Sequence, residues 1–230
     1  MKLVNPICVA LDVDSPDEAL AIARELQGKV GAYKVGPRLT NSDSNIISKI
    51  AAVGPVFVDH KYYDIPSTME AAIRSVFNAG ATFVTIHASC GKTALSQLGR
   101  LETELNQKRA FKILAVTVLT SFATDDFVGF VRTTPIAEQV KELASHAIKN
   151  GVTGIVCSPH EISTVKKISS DSFIVTPGIR TKSVVGDDQK RTLSPAQAIN
   201  SGASMLVIGR PILLAQSRIV AVNEILKELE

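Results

Sequence analysis

The sequence predicts an α/β protein, a single (β/α)8 TIM barrel that spans residues 1–230. Short apolar runs recur along the whole chain, and stretches with helical period separate most of them, as in a parallel sheet with helices between its strands. The length is also close to the roughly 250 residues of a typical barrel. The predicted strands lie at 6–11, 31–35, 56–58, 83–86, 113–119, 154–157, 173–176 and 205–208.

An open, doubly wound sheet is the alternative architecture. Such a sheet commonly has a Gly-x-Gly-x-x-Gly turn after its first strand, because glycines let the backbone approach a bound pyrophosphate. This chain has Val13-Asp14-Ser15 at that place. No linker or low-complexity segment divides the sequence, so one barrel is the better prediction.

Capping residues and apolar spacing predict the first and the last helix. Ser15-Pro16-Asp17-Glu18 is a capping box with proline at the first helical position, and Gly28 supplies the stop. Near the C-terminus, Pro211 is expected to begin one continuous helix. The apolar stripe of that helix would consist of Ala215, Ile219, Val222, Leu226 and Leu229.

Composition and charge argue against several classes of function. The chain is 45% apolar and 20% charged, with a net charge of +3 and no block of Lys and Arg, so we expect neither nucleic-acid binding nor membrane binding. Cys8, Cys90 and Cys157 are widely spaced, which disfavours a disulfide framework or a structural zinc site. No segment reads as a signal peptide or a membrane span, and a cytoplasmic location is expected.

Charged residues close the first three predicted strands. Asp12 follows the first strand, Lys34 comes after Gly31-Ala32-Tyr33 near the end of the second, and Asp59, Lys61 and Asp64 follow the third. Side chains alternate along a strand, so Asp59 and Lys61 should share a face, with Asp64 just past the strand end. Active sites of barrels lie at the carboxyl ends of the strands, where these five residues would form one cluster of acids and bases. A structural ion-pair network is the alternative, but buried pairs often add little net stability.

Two Gly-Arg elements match the phosphate site that is frequent in barrels. Gly178-Ile179-Arg180 follows the seventh strand and Gly209-Arg210-Pro211 follows the eighth. Glycine permits close backbone approach, and arginine adds bidentate donors. Exposed arginines beside helix-preceding glycines are the simpler alternative, yet both elements fall on the strands that such barrels use for phosphate. Residues 180–191 have no clear period and are interpreted either as a phosphate-gripping lid or as a plain loop.

The histidines do not predict a metal site. His60, His87, His146 and His160 form neither a His-x-His nor a His-x-x-x-His pair. His60 is out of phase with its charged neighbours and should face the helix layer. His87 alone is placed to meet a ligand, and a hydrogen-bonded strand-end histidine is an equal alternative. The sequence also has no Gly-x-Ser-x-Gly elbow and no evident Cys–His pair for nucleophilic catalysis.

Short motifs distributed over the chain carry a resemblance to one enzyme family. They are Ala10-Leu11-Asp12, Lys34-Val35-Gly36, Asp59-x-Lys61-x-x-Asp64-Ile65-Pro66-x-Thr68, Thr85-Ile86-His87-Ala88, Leu119-Thr120-Ser121, Val156-Cys157-Ser158, Thr176-Pro177-Gly178-Ile179-Arg180, Asp188-Gln189-x-Arg191 and Gly209-Arg210-Pro211. With these motifs the chain resembles the orotidine 5′-monophosphate decarboxylase family along essentially its whole length. Related magnesium-dependent sugar-phosphate decarboxylases and synthases share the Asp-x-Lys-x-x-Asp element but have Glu in place of Lys34.

The resemblance implies a homodimeric lyase of de novo pyrimidine biosynthesis. It would convert orotidine 5′-monophosphate to uridine 5′-monophosphate without a cofactor or metal, and Lys61 would protonate carbon 6 of the pyrimidine. The implied catalytic network consists of Lys34, Asp59, Lys61 and, from the partner subunit, Asp64. By the resemblance, Asp12 would hold the ribose, Lys34 would lie beside the reacting carbon, and Ser121 would bind the pyrimidine amide. Gln189 and Arg210 would bind the phosphate, and Thr68 would reach across the dimer interface. The implied binding set also includes Pro177, Arg180 and Gly209.

Three short segments depart from the family pattern: Ser67, Ser89-Cys90-Gly91 and Arg38-Leu39-Thr40. These departures concern loops and leave the charged residues intact. A magnesium-dependent sugar-phosphate decarboxylase or aldolase is the enzymatic alternative, and Lys34 argues against it. A phosphate-binding module without catalysis is the non-enzymatic alternative, and a binder would not need Lys61 beside Asp59.

Overall fold

Eight parallel strands close into a barrel in sequence order in the computed structural model, which confirms the predicted (β/α)8 fold. The structure describes residues 3–122, 134–179 and 193–229. Each strand pairs with the next along the chain, and β8 returns to pair with β1. The strands are β1 Ile7–Ala10, β2 Ala32–Val35, β3 Val56–Tyr62, β4 Ala81–His87, β5 Lys112–Val116, β6 Gly154–Val156, β7 Phe173–Thr176 and β8 Met205–Ile208.

The helices of the described segments surround this barrel. They are α1 Pro16–Glu25, α2 Pro37–Ser42, α3 Ile46–Ala51, α4 Pro66–Asn78, α5 Lys92–Asn106, α6 Ile136–Lys149, α7 Ile162–Ile168, α8 Pro195–Asn200, α9 Arg210–Leu213 and α10 Arg218–Lys227. The predicted start of α1 is confirmed, since Ser15 Oγ accepts a hydrogen bond from the Glu18 backbone N–H at 3.4 Å. Among these helices, none combines the length and the apolar character that a bilayer crossing demands.

The C-terminal prediction was wrong in one respect. The expected single helix from Pro211 is two helices, α9 and α10, and Leu214 between them is 78% exposed. Ser217 has extended backbone angles, and its Oγ accepts a hydrogen bond from the Val220 N–H, so a new helix begins there. Of the predicted stripe, Val222 is buried and Ile219, Leu226 and Leu229 are partly buried against the core, while the buried Ile225 was not predicted.

Alternate residues of the strands point inward and fill the barrel. Phe57, Phe83 and Phe173 form a layer in which Phe83 lies edge-on to Phe57, at a centroid distance of 6.3 Å, and stacks on Phe173 at 5.7 Å. Cys8 and Met205 belong to the same interior cluster. Phe57 also lines the cavity described below, so this aromatic layer forms a solid floor for the site.

The opposite faces of the strands bind the helices. On β2, the fully buried Tyr33 faces the helix layer and its hydroxyl donates to the Ala23 carbonyl of α1 at 2.9 Å. Burial raises the pKa of Tyr33 to about 12, so the phenol stays protonated and keeps this bond. Because side chains alternate along a strand, anchoring Tyr33 outward turns the next residue, Lys34, into the barrel.

Candidate active site

A cavity of about 680 Å³ opens at the carboxyl ends of the strands. Its volume lies within the range of small-molecule sites in proteins. The lining combines charged side chains from β1 to β3 with apolar side chains, such as Val116 and Val175, from the opposite strands. Eight of the predicted site residues border it: Asp12, Lys34, Asp59, Lys61, Ser121, Pro177, Gly209 and Arg210.

Asp59 is the centre of the charged cluster. Its Oδ1 accepts a hydrogen bond from Lys61 Nζ at 2.9 Å, and its Oδ2 lies 3.7 Å from Lys34 Nζ. Lys34 in turn donates to Asp12 Oδ1 at 2.9 Å. The side chains of Lys34 and Asp59 are 12% and 14% exposed, whereas Asp12 is 59% exposed and faces the cavity mouth. The predicted alternation of acids and bases is therefore present in space, with two lysines sharing one buried carboxylate.

Electrostatics keep this cluster ionised despite its burial. Desolvation by itself would lower the pKa of Lys34, but the attraction of Asp59 and Asp12 outweighs it and the pKa of Lys34 is raised. Burial would likewise raise the pKa of Asp59, yet Lys34, Lys61 and hydrogen bonds to Lys61 and Thr85 leave that pKa lowered. At neutral pH the Lys34 ammonium and the Asp59 carboxylate are therefore both charged.

An irregularity in β3 places Lys61. The β3–β4 ladder pairs Val58 with Val84 and then Tyr62 with Ile86, so β3 uses two more residues than β4 between these pairs. Lys61 has a φ of 49°, which makes it the non-glycine residue with positive φ in the described segments. Such a conformation costs about 1–2 kcal/mol for an L-residue. Regular strand alternation is thus broken at Lys61, although Lys61 still borders the cavity as the alternation predicted.

His60 lies on the other side of this irregular segment. Its Nε2 is 2.9 Å from Thr40 Oγ1 of α2, and its Nδ1 is 2.9 Å from the Tyr62 hydroxyl. The ring therefore contacts the helix layer, as its strand phase predicted. Burial lowers the pKa of His60, so the imidazole is neutral at physiological pH. These bonds tie the bulged strand to α2.

Sequence reasoning missed two polar residues of the site. Thr85 of β4 contacts both Asp59 and Lys61. In the sequence it stands in the motif Thr85-Ile86-His87-Ala88, but that motif gave it no role in the site. Arg38 lines the cavity mouth and pairs with Asp14 at 2.9 Å, with both side chains well exposed. Arg38 had stood out in the sequence only as a departure from the family pattern.

Asp64 and Thr68 lie away from this cavity in the single chain. Both are exposed, and Asp64 Oδ1 accepts the backbone N–H of Ile65 at 2.6 Å. Tyr63 and Ile65, which flank Asp64, are 64% and 63% exposed although they are large and apolar. The structure thus brings Asp59 and Lys61 together and leaves Asp64 on a neighbouring surface.

The remaining predicted site residues are not among the described residues that line the cavity. Arg180 and Gln189 lie outside the described residues, as does the whole segment 180–191. His87 does not border the cavity; its ring lies edge-on to Tyr63 at 5.7 Å, and burial lowers its pKa. Over residues 3–122, 134–179 and 193–229, no three His, Cys, Asp or Glu side chains are grouped so as to hold a metal ion.

The sequence matches one family of known proteins over most of its length. The model of the orotidine 5′-phosphate decarboxylase / HUMPS family matches residues 5–225. The chain belongs to this family. Among curated relatives, the orotidine 5′-phosphate decarboxylase of Paramagnetospirillum magneticum is 39% identical, and the alignment covers 99% of each chain. The enzyme of the same name from Heliobacterium modesticaldum is 38% identical, over all of this chain and 97% of the relative.

The solved structures include a family member with the same fold. The crystal structure of orotidine 5′-phosphate decarboxylase from Lactobacillus acidophilus superposes with a TM-score of 0.86 at 32% identity. The match covers 98% of this chain and 99% of that one. The family resemblance inferred from short motifs is thereby confirmed over the full barrel.

The burial of His60 predicts an acid-sensitive contribution to stability. Its folded pKa lies below the ordinary value of 6.5, so below that pH the unfolded chain takes up a proton that the folded chain resists. Stability from neutral His60 is complete above pH 6.5 and declines as the pH falls towards the folded pKa. His60→Gln retains hydrogen-bonding groups but does not titrate. Its melting temperature should therefore fall less steeply than that of the wild type between about pH 8 and about pH 5.

Thermal unfolding followed by circular dichroism at several pH values makes this comparison. His87, whose pKa is also lowered, is unchanged in both proteins, so the difference between the two curves isolates His60. Parallel curves for the two proteins would show that His60 does not carry this pH dependence.

Proposed function

We propose that the protein catalyses the decarboxylation of orotidine 5′-monophosphate to uridine 5′-monophosphate, a step of de novo pyrimidine biosynthesis. The observation that carries this proposal is that Lys61, paired with Asp59 at 2.9 Å, borders an open cavity in a chain of the orotidine 5′-phosphate decarboxylase / HUMPS family. Lys34 supports it, because a second lysine fills the place next to Asp59 where a carboxylate would be needed to hold a metal ion.

The chemical problem explains the need for such a cluster. When the bond between carbon 6 and the carboxylate breaks, its electron pair stays on carbon 6 and carbon dioxide leaves. The Lys61 ammonium gives a proton to carbon 6 and later regains one from water. No cofactor is invoked as an electron sink, so preorganised charge must stabilise the developing carbanion. An ammonium group already held at 2.9 Å from a carboxylate needs little reorganisation for this task.

Lys34 and Asp59 prepare Lys61 for that role. Asp59 binds Lys61 through one oxygen and faces Lys34 through the other, which limits the positions that its carboxylate can take. Both residues are largely shielded from solvent, where charge interactions are stronger than in water. A fixed Asp59 beside the substrate carboxylate would also favour the loss of that negative charge.

The rest of the cavity suits the remainder of the nucleotide. Asp12 at the mouth, held by Lys34 at 2.9 Å, is placed to accept hydrogen bonds from ribose hydroxyls. Ser121 would bind the pyrimidine amide, and Pro177, Gly209 and Arg210 border the side of the cavity where phosphate would bind. Gln189 and Arg180, which lie outside the described residues, would complete the phosphate contacts. Binding at this distance from carbon 6 contributes by orienting the reacting end.

The active enzyme is proposed to be a homodimer in which Asp64 enters the partner's site. In one chain, Asp64 lies outside the cavity and next to the exposed apolar side chains of Tyr63 and Ile65. An exposed apolar pair beside a functional loop is typical of an interface. A two-fold axis at this surface would carry Asp64 and Thr68 towards the second cavity.

The function is tested directly with purified protein. Orotidine 5′-monophosphate should lose its absorbance and release one equivalent of carbon dioxide in chelator-treated buffer. Catalysis that disappears with EDTA and returns with magnesium would reject the proposal and favour a magnesium-dependent relative. An inactive wild type with a native circular dichroism spectrum would reject decarboxylation altogether.

Lys61→Ala should lower the turnover number at least about 100-fold, the usual effect of losing a general acid. The affinity for uridine 5′-monophosphate should change much less, because the main role of Lys61 lies in the transition state. Steady-state kinetics and isothermal titration calorimetry give the two numbers. Lys61→Arg is the matched control: it keeps a positive charge but is a poor proton donor, so it should also be slow. Near-normal turnover in either variant would show that the proton has another source.

Asp64 is tested by mixing two inactive variants, Lys61→Ala and Asp64→Asn, under conditions of subunit exchange. If Asp64 acts across the dimer, each mixed dimer has one doubly damaged site and one intact site. Random pairing of equal amounts should restore roughly a quarter of the sites. Activity that stays at the level of the separate variants, with exchange verified by mass spectrometry, would place Asp64 in the site of its own chain.

A further inference from the structure

The hydroxyl of Thr85 joins the two residues at the centre of the site. Thr85 is 1% exposed and lies on β4, opposite the bulged part of β3. We propose that Thr85 is a positioning residue for the decarboxylation: it holds the left-handed backbone of Lys61 and one carboxylate oxygen of Asp59, so that the lysine ammonium stays aimed at the reacting carbon. This inference rests on the proposed function.

Three hydrogen bonds form a closed ring around this hydroxyl. Thr85 Oγ1 is 2.9 Å from the backbone nitrogen of Lys61 and 3.0 Å from Asp59 Oδ1. The same Oδ1 is 2.9 Å from Lys61 Nζ. One threonine thus links the main chain of Lys61 to its own ammonium group through Asp59. A displacement of Thr85 would move both ends of the lysine.

The ring has only one consistent assignment of protons. A backbone N–H can only donate, so Thr85 Oγ1 is the acceptor from Lys61. The single hydroxyl proton of Thr85 is then left for Asp59 Oδ1, which must accept it. A carboxylate that also accepts from Lys61 Nζ does so best when ionised. Thr85 therefore favours the charged form of Asp59 as well as its orientation.

The bulge explains why Lys61 needs such support. Between the pairs Val58–Val84 and Tyr62–Ile86, β4 offers Thr85 alone to three residues of β3. Residues with a φ such as the 49° of Lys61 persist when surrounding contacts hold them. Thr85 can do so because its own backbone is fixed opposite Leu114 of β5. Its β-branched side chain also has few rotamers, which directs the hydroxyl.

Thr85→Val and Thr85→Ser form a matched pair for the test. Valine has nearly the same shape without the hydroxyl, and serine keeps the hydroxyl without the methyl group. With orotidine 5′-monophosphate as substrate, Thr85→Val should lower kcat on the order of 10- to 100-fold, since misplacing a reacting group by about 1 Å has an effect of this size. KM and the dissociation constant for uridine 5′-monophosphate should change little. Thr85→Ser should recover most of the loss.

The pH profile supplies a readout that a purely structural role would not move. Asp59 faces Lys34 from β2, Lys61 from β3 and Thr85 from β4, with Cys8 and Asp12 of the β1 segment also nearby. His60 of β3 and His87 of β4 also interact with it electrostatically and are the same in all the variants compared. The hydrogen bond from Thr85 helps to lower the pKa of Asp59. Without it, the acid limb of the kcat/KM profile should move to higher pH in Thr85→Val and stay in place in Thr85→Ser.

The kinetic comparison of wild type and variants decides whether Thr85 positions Lys61. An active wild type with a Thr85→Val variant of unchanged kcat and unchanged acid limb would overturn the role of Thr85 and leave the proposed function intact. Equal losses in Thr85→Val and Thr85→Ser would also overturn it, because the methyl group rather than the hydroxyl would then matter. If Thr85→Val fails to fold, Thr85→Ala is compared with Thr85→Ser by the same criteria. A wild type that is inactive on the nucleotide would overturn the proposed function, and the positioning role with it.

Discussion

Two lysines share one largely buried carboxylate in this barrel, and the strands around it hold the three side chains in place. Asp59 is 14% exposed and lies between Lys34 and Lys61, so removing it would leave two like charges close together in a poorly solvated place. Buried ion pairs of this kind contribute little net stability, because desolvation offsets much of the attraction. The presence of these pairs in the wall of a cavity is therefore better explained by a chemical role than by a contribution to folding.

The hydrophobic framework makes such a cluster possible. Below it, Phe57, Phe83 and Phe173 pack against one another inside the barrel, and Phe57 also lines the cavity. Beside it, Tyr33 is locked to α1, which sets the phase of β2 and turns Lys34 inward. The interior therefore holds the charged groups in place with contacts that are themselves apolar and closely packed.

Much of this was predictable from the sequence, for identifiable reasons. Alternating apolar runs and helical stretches identify the barrel. Charges at strand ends can converge only at its carboxyl face, where the structure has Asp12, Lys34, Asp59 and Lys61 beside one cavity. The positive φ of Lys61 and the bulge were beyond sequence reasoning, because they depend on how β3 pairs with β4. Thr85 was missed for the same cause: its role comes from a residue opposite it, not from its neighbours in the chain. The split of the last helix at Ser217 depended on a capping bond that competed with an otherwise continuous pattern.

The proposed entry of Asp64 into a partner's site bears on the charge balance of the cavity. Within one cavity, Lys34 and Lys61 are matched by Asp12 and Asp59, so the charges of this cluster balance, while Arg38 and Arg210 also line the cavity. A substrate carboxylate entering beside Asp59 adds one negative charge, which its departure as carbon dioxide and the protonation of carbon 6 remove. Asp64 from a partner would place a further carboxylate near the Lys61 ammonium before the reaction. If the site is complete only in the dimer, the set of charges around Lys61 would depend on dimer formation.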